Sequence, residues 1–66
     1  MNDDITMPKR ITRGQKIAAK RTVLKISQAT LALMTDIEQA TISRYENGLD
    51  VPDHHWRALC KALRDK

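Results

Sequence analysis

Apolar residues recur at helical spacing in four stretches of the chain, and residues typical of helix ends separate these stretches. The first stretch opens with Thr12–Gln15, which has the form of a capping box. Its inward side carries Ile17, Arg21 and Leu24. Ile26 follows and is expected to be buried in the core. The pattern therefore predicts a first helix that begins within this tetrad.

The middle of the chain predicts two short helices joined by a tight turn. The first of these helices is predicted over roughly residues 28–35. Ser27 precedes it, and the Ser27 hydroxyl can accept a hydrogen bond from an unpaired amide. The tetrad Asp36–Gln39 interrupts the pattern: its aspartate tolerates a left-handed backbone, and the tetrad has capping-box form with the glutamine reaching back. A second helix, over roughly residues 38–46, ends at Gly48, because glycine adopts the left-handed C-cap conformation without a clash.

The second of these short helices has two different sides. Ile42 and Tyr45 are expected to point into the core. The residues expected on its outward sides are Gln39, Ala40, Ser43 and Arg44. Two short helices about a tight turn, the second with a polar outward side, form the layout of a DNA-binding helix-turn-helix.

A last helical pattern follows Pro52, a residue that suits the first turn of a helix. The apolar residues that it is expected to bury are Trp56, Leu59, Cys60 and Leu63. Residues 1–10 mix charges without periodicity, so they are predicted to form a flexible N-terminal arm. The predicted fold is all-α, with four helices in one domain over residues 11–66.

The stretch from Ser27 to Gly48 resembles the lambdoid phage repressor and Cro family, also called the XRE family, without a gap. The residues that carry the resemblance are Ser27-Gln28, Leu31-Ala32, Ile37 and the run Thr41–Gly48. Looser agreement extends from about Gly14 through Leu63. The resemblance implies a compact four-helix domain like that of lambda repressor, and a protein that binds double-stranded DNA to regulate transcription.

If the helix over residues 38–46 enters the major groove, its outward side chains can contact bases. Gln39 is the first candidate, because its amide both donates and accepts and so matches adenine, and Arg44 offers a guanidinium for guanine or a phosphate. Glu38 could accept from the amino group of cytosine, favour the helix dipole or repel wrong sequences. Ala40 and Thr41 are small enough for close approach, with a thymine methyl as a possible contact.

Other residues are expected to hold the domain on the duplex without choosing its sequence. The resemblance implies a backbone contact from Asn47 and a contact to a phosphate or an outer base from Gln28. The amides at the helix start beside Gln28 favour an anion in any case. The residues expected to contact the backbone, directly or from the arm, are Gln28, Asn47, Ser43, Lys9, Arg10 and Arg13. The resemblance gives Arg21 and Glu46 a structural role, as a partly buried ion pair between the first and third helices.

The chain has a net charge of +4, and the position of the charges matters more than their total. No acidic residue occurs from Ile5 to Thr35. The basic residues in that block are Lys9, Arg10, Arg13, Lys16, Lys20, Arg21 and Lys25. Such a block suits phosphate, whereas its alternative interpretation is a solvated helix surface that only maintains solubility.

Several other classes of protein are disfavoured. The chain has one cysteine, Cys60, so an internal disulfide is impossible, and a reducing cytoplasm suits it. No apolar run is long enough to cross a membrane, and the acidic start at Asp3 and Asp4 is unlike a signal peptide. His54 and His55 do not align with Cys60 on one helical side, so no metal is expected. No cofactor motif or catalytic set occurs, and the chain is not expected to be an enzyme.

A core of this size is marginally stable, so association is expected. The chain is interpreted as a cytoplasmic repressor-like or Cro-like homodimer of a phage, a mobile element or its host, which occupies a palindromic operator. The last helix and its flanks are the hypothetical dimer surface, and Leu33 and Met34 are apolar where relatives are polar. The alternatives are a protein-interaction module, such as an antitoxin or antirepressor with a protein partner, and nonspecific binding of nucleic acid.

Overall fold

The computed structural model describes residues 11–64, and all regular structure in this range is helical. The four helices are α1 (Arg13–Val23), α2 (Gln28–Thr35), α3 (Gln39–Glu46) and α4 (Asp53–Arg64). The predicted all-α class is confirmed. The predicted arm, with Lys9 and Arg10, lies outside the described residues. Within residues 11–64 no helix is both long and apolar enough to cross a membrane.

The start of α1 is fixed by local chemistry. The hydroxyl of Thr12 accepts a hydrogen bond from the backbone N–H of Gln15 at 3.1 Å, and the Gln15 carboxamide oxygen accepts one from the backbone N–H of Thr12 at 3.0 Å. These two bonds are the predicted capping box, which satisfies two backbone donors that the helix itself cannot pair.

Helices α1 and α3 end in the same way. At the end of α3, Gly48 has a φ of 115° and donates to the carbonyl of Tyr45, as the sequence predicted for a glycine C-cap. At the end of α1, Lys25 has a φ of 60°, and the next N–H, from Ile26, donates back to Arg21. Both are Schellman motifs, in which a left-handed residue lets the chain pair the last carbonyls of the helix. In α1 a lysine occupies the position where glycine is favoured.

The turn between α2 and α3 corrects one prediction. Asp36 is left-handed as expected, with a φ of 61°, and its N–H donates to the carbonyl of Ala32 at 2.8 Å. The predicted capping box from Asp36 to Gln39 is wrong, because Glu38 is the N-cap of α3 and no side chain caps that helix. Asp36 instead ends α2, and two residues then separate it from the start of α3.

Pro52 also differs from its predicted place, since it lies just before α4. Its carbonyl accepts from the N–H of Trp56 at 2.8 Å, so it precedes the helix as its cap.

Replacing Lys25 or Asp36 by glycine is expected to stabilise the domain. Each left-handed residue with a side chain is strained, and relief of that strain outweighs the extra backbone entropy of glycine by about 0.5–1 kcal/mol. Urea unfolding followed by circular dichroism would measure the change. Ala19→Gly within α1 is the control, because it should instead lose about 1 kcal/mol. Equal losses at all three positions would contradict the expectation.

The core lies where the four helices meet, with α1 and α2 each packed on both α3 and α4. Its buried side chains are Ile17, Ile26, Leu31, Ile37, Ile42, Tyr45, Val51, Leu59 and Leu63. The burial of Leu59 and Leu63 was predicted. Trp56 and Cys60, expected to be buried with them, are only half-buried, and Trp56 packs against the edge of the core.

Helices α1 and α3 approach closely at Gly14. A Cβ atom added there would lie 1.7 Å from the carbonyl oxygen of Tyr45, so the backbones are nearer than any side chain allows. This contact brings the start of α1 against the end of α3 and fixes how α3 sits on the rest of the domain.

Candidate nucleic-acid interface

Helix α3 presents a polar side to solvent and an apolar side to the core, as the sequence predicted. Ile42 is fully buried and Tyr45 nearly so. The predicted base-contacting residues that are exposed are Glu38, Gln39, Ala40 and Arg44. Thr41 is half-buried at the edge of this surface. The structure therefore brings the predicted set together on one helix, and whether they contact bases remains a prediction.

The outward residues of α3 form two neighbouring rows, in which Gln39, Ala40 and Arg44 are exposed and Ser43 is half-buried. Gln39 lies one turn from Ser43, and Ala40 one turn from Arg44, because residues four apart stack along a helix. Glu38 stands at the N-cap, beside the positive end of the helix dipole. A duplex approached by this side would therefore meet amide, hydroxyl and guanidinium donors within two helical turns.

An ion pair links α3 to α1 on the side of α3 that faces the domain. Arg21 donates to both carboxylate oxygens of Glu46, from Nε at 2.7 Å and from Nη2 at 2.9 Å. Its Nη1 donates to the carbonyl of Ile26 at 2.8 Å. The two side chains are 18% and 9% exposed, respectively, so the pair is largely removed from water. The geometry agrees with the role that the family resemblance implied, and two parallel bonds make it one of the stronger kinds of ion pair.

The surroundings of this pair favour its charged form. Burial raises the pKa of Glu46, but hydrogen bonds from Arg21 and Gln28, together with the charge of Arg21, lower it more, and the pKa lies below that of an ordinary glutamate. The hydrogen bond to Glu46 raises the pKa of Arg21 despite its burial. Both groups are therefore charged at neutral pH.

Glu46 also orients the start of α2. The Nε2 atom of Gln28 donates to Glu46 Oε1 at 2.9 Å, so this one carboxylate joins the first residue of α2 to α1 and α3. Ser27 caps α2 as predicted, its hydroxyl accepting from the N–H of Thr30 at 3.0 Å. Asn47 caps α3 and donates from Nδ2 to the carbonyl of Ser43 at 2.8 Å. Gln28 and Asn47 are thus held in place, and their contacts with DNA remain predictions.

Arg13 is engaged within the domain. Its Nη1 donates to the carbonyl of Val51 at 3.1 Å and to the carboxylate of Asp53 at 2.8 Å, and its guanidinium lies 5.1 Å from the ring of Trp56. The hydrogen bond and the charge of Arg13 lower the pKa of the exposed Asp53. Any contact of Arg13 with a phosphate would compete with these bonds.

Among the described residues, the cations of the basic block differ in their surroundings. Arg13 and Arg21 pair with carboxylates of the domain, while Lys16 and Lys20 line a groove between α1 and α4. A run of one charge sign along a helix is spread around its circumference, so the sequence could not show which of these cations share a side.

Sequence reasoning missed a contact between α3 and α4. The hydroxyl of the buried Tyr45 and the Nδ1 atom of His55 form a hydrogen bond, and their rings meet edge to face. The pair spans ten residues and the loop before α4, and no local sequence pattern signals such a contact.

Comparison with known proteins agrees with this geometry. A protein-family model described as helix-turn-helix matches residues 10–64. Searches of curated proteins and of solved structures gave no match. The matched range contains all four helices, the turn between α2 and α3 and the polar side of α3. The chain belongs to the helix-turn-helix family of the XRE type, a family of DNA-binding domains that regulate transcription.

Proposed function

We propose that this protein is a sequence-specific regulator that acts in the cytoplasm and inserts α3 into the major groove of double-stranded DNA. The observation that carries the proposal is the exposed row of Gln39, Ala40 and Arg44 on a helix whose opposite side is buried. The ion pair of Arg21 with Glu46 holds that helix in one orientation. A preorganised helix binds with little loss of conformational entropy.

The side chains of α3 would contact different bases, according to their chemistry. Gln39 can form two hydrogen bonds with adenine, and Arg44 can form two with guanine. Glu38 can accept from cytosine or exclude other bases by leaving them unpaired. Ala40 and the half-buried Thr41 are placed for a thymine methyl group.

The remaining predicted residues would position the domain on the backbone. Gln28 is oriented by Glu46 and keeps a second amide hydrogen for a phosphate, and Asn47 and Ser43 lie at the far end of α3. Lys9 and Arg10 precede the described residues and would add positive charge from the arm. Arg13, which follows them in the sequence, would add to this charge. Such contacts supply affinity that falls as salt rises.

We further propose that the protein acts as a homodimer and represses by occupying a promoter. Two copies of α3 would enter successive major grooves about 34 Å apart, which requires a palindromic operator. The interface would be formed by α4 and its flanks. Leu33 and Met34 support it, since these residues are 86% and 39% exposed, and Met34 lines one surface depression together with Ala58 and Ala62 of α4.

The substitution Met34→Glu is expected to convert a dimer into monomers. It would place a charge in the apolar contact between the two copies, whereas Val23→Glu changes another exposed apolar residue, 75% exposed on α1, and should leave the dimer intact. Analytical ultracentrifugation at high micromolar concentration would measure both variants. A wild type that sediments as a monomer with and without DNA would contradict the dimer.

The double substitution Gln39→Ala, Arg44→Ala is expected to remove most of the preference for the operator. A bidentate base contact contributes about 1–3 kcal/mol of discrimination, so losing two should reduce the preference at least about thirtyfold. The operator would first be selected from randomised duplexes with the wild type, and the variant then measured on it. Lys20→Ala, exposed on α1, is the control. A double variant that keeps the wild-type preference and fold would exclude Gln39 and Arg44 as the residues that choose the DNA sequence.

A further inference from the structure

A second candidate site lies on the side of the domain formed by α1 and α4. It is an open groove of about 430 Å³, within the size range of pockets that accept ligands. Its apolar floor is formed by Ile17 of α1, by Leu24 directly after α1, and by Trp56 and Cys60 of α4. No residue of α2 or α3 lines it, so a molecule in this groove would leave the exposed side of α3 free.

The rim of the groove is basic. Lys16, Lys20 and Arg64 line it together with the apolar floor. The two lysines are exposed and four residues apart, so they stand one turn from each other along the same side of α1. Within residues 11–64 the ion pairs join Arg13 to Asp53 and Arg21 to Glu46, and neither uses these lysines.

We propose that this groove binds an acidic amphipathic helix of a partner protein. A groove between two helices accepts the apolar side of a third, which inserts side chains spaced three and four residues apart. Acidic residues on the flanks of that helix would face Lys16 and Lys20 on one wall and Arg64 on the other. Such a helix would pair its apolar side with the floor of the groove and its acidic flanks with the basic rim. Its binding would not require α3 to be bound to DNA.

The same charges disfavour other occupants. A second copy related by a two-fold axis would bring the basic rim against itself, and like charges facing each other oppose association. A nucleic acid would satisfy the lysines but leave Trp56, Cys60 and the rest of the apolar floor without an apolar partner. An acidic amphipathic helix is the occupant that uses both features of the groove.

Trp56 provides a direct assay, because it is the chain's one tryptophan and lies in the groove floor. The probe is a synthetic helical peptide with leucines at positions i, i+3, i+4 and i+7 and glutamates on both flanks. Its titration into the full chain should shift the Trp56 emission to shorter wavelength and saturate, with a Kd below roughly 100 μM. A matched peptide with lysine in place of every glutamate should bind at least about tenfold more weakly.

Charge reversal on each side of the domain tests the location. Lys20→Glu should weaken the acidic peptide by about three- to tenfold, and the double substitution Lys16→Glu, Lys20→Glu by more, with a gain for the lysine peptide. Arg44→Glu carries the same change of charge on α3 and should alter peptide binding by less than about twofold, although it should weaken DNA binding. Loss of one activity without the other keeps this site distinct from the DNA interface.

Several results would overturn the proposal. One is the absence of a saturable change in Trp56 emission up to about 1 mM acidic peptide. The others are equal affinity for the acidic and the lysine peptide, and equal effects of Lys20→Glu and Arg44→Glu on binding of the acidic peptide. Emission that depends on protein concentration without peptide would assign the groove to a second copy. Weaker operator binding by Lys16→Glu, Lys20→Glu would assign it to DNA, and an emission shift caused by Asp3→Asn, Asp4→Asn would assign it to the chain's own N-terminal segment.

Discussion

Replacing Gly14 by alanine is expected to destabilise the domain by at least about 3 kcal/mol, although alanine is the better helix former. The added Cβ would lie 1.7 Å from the carbonyl oxygen of Tyr45. That oxygen is backbone, and it already accepts a hydrogen bond from Gly48 in the Schellman motif that ends α3. The clash can be relieved only by moving α1 away from α3, which would disturb the core around Tyr45.

Urea unfolding followed by circular dichroism would measure this loss. A domain of this length has a total stability of only about 3–10 kcal/mol, so a loss of about 3 kcal/mol would remove from about a third to all of it. Gly48→Ala is the control: its Cβ would meet nothing within 4 Å, and only its φ of 115° opposes the change. A Gly14→Ala domain as stable as Gly48→Ala would show that the close approach of α1 and α3 is not essential.

Removal of Glu46 alone is the second large expected effect. Glu46→Ala would leave the guanidinium of Arg21 without its bidentate partner in a site that is largely closed to water, at a cost of about 3 kcal/mol. The amide of Gln28 would also lose its acceptor. The double substitution Arg21→Met, Glu46→Leu removes both charges, and it should be less destabilising than Glu46→Ala because no charge is then stranded.

The contribution of this pair should depend on pH. Since the pKa of Glu46 is lower in the folded state than in the unfolded chain, its stabilisation is complete above the unfolded pKa of about 4.3 and disappears as the pH falls through the folded pKa. In urea unfolding, the wild type should therefore lose stability relative to Arg21→Met, Glu46→Leu as the pH is lowered from neutral into acid. A difference between them that stays constant from neutral pH into acid would contradict an ionised Glu46.

Much of the fold follows from local sequence chemistry. The capping box of Thr12 and Gln15 and the glycine C-cap at Gly48 were predicted, because each depends on residues only a few positions apart. The capping box predicted at Asp36 has the same local form, but Asp36 ends the preceding helix, where its backbone N–H donates to the carbonyl of Ala32. Local patterns show which residues can cap, whereas the three-dimensional turn decides which residue does.

The long-range contacts of the interface were harder to predict. The pair of Arg21 and Glu46 was expected only through the family resemblance, since 25 residues separate its members. The bonds from Arg13 to Val51 and Asp53 span even longer separations, and they were missed. The two sides of α3 were predictable, because helical periodicity alone places Ile42 and Tyr45 opposite the exposed row.

The most direct test of the central claim is a comparison of DNA affinities by fluorescence anisotropy. The purified chain would be titrated with its selected operator and with a scrambled duplex of equal length and composition, both at about 0.15 M salt, because affinities without a stated salt concentration cannot be interpreted. We expect the operator to bind at least roughly a thousandfold more tightly. Equal, weak and strongly salt-dependent binding to both duplexes would contradict sequence-specific regulation and leave only nonspecific attraction to phosphate.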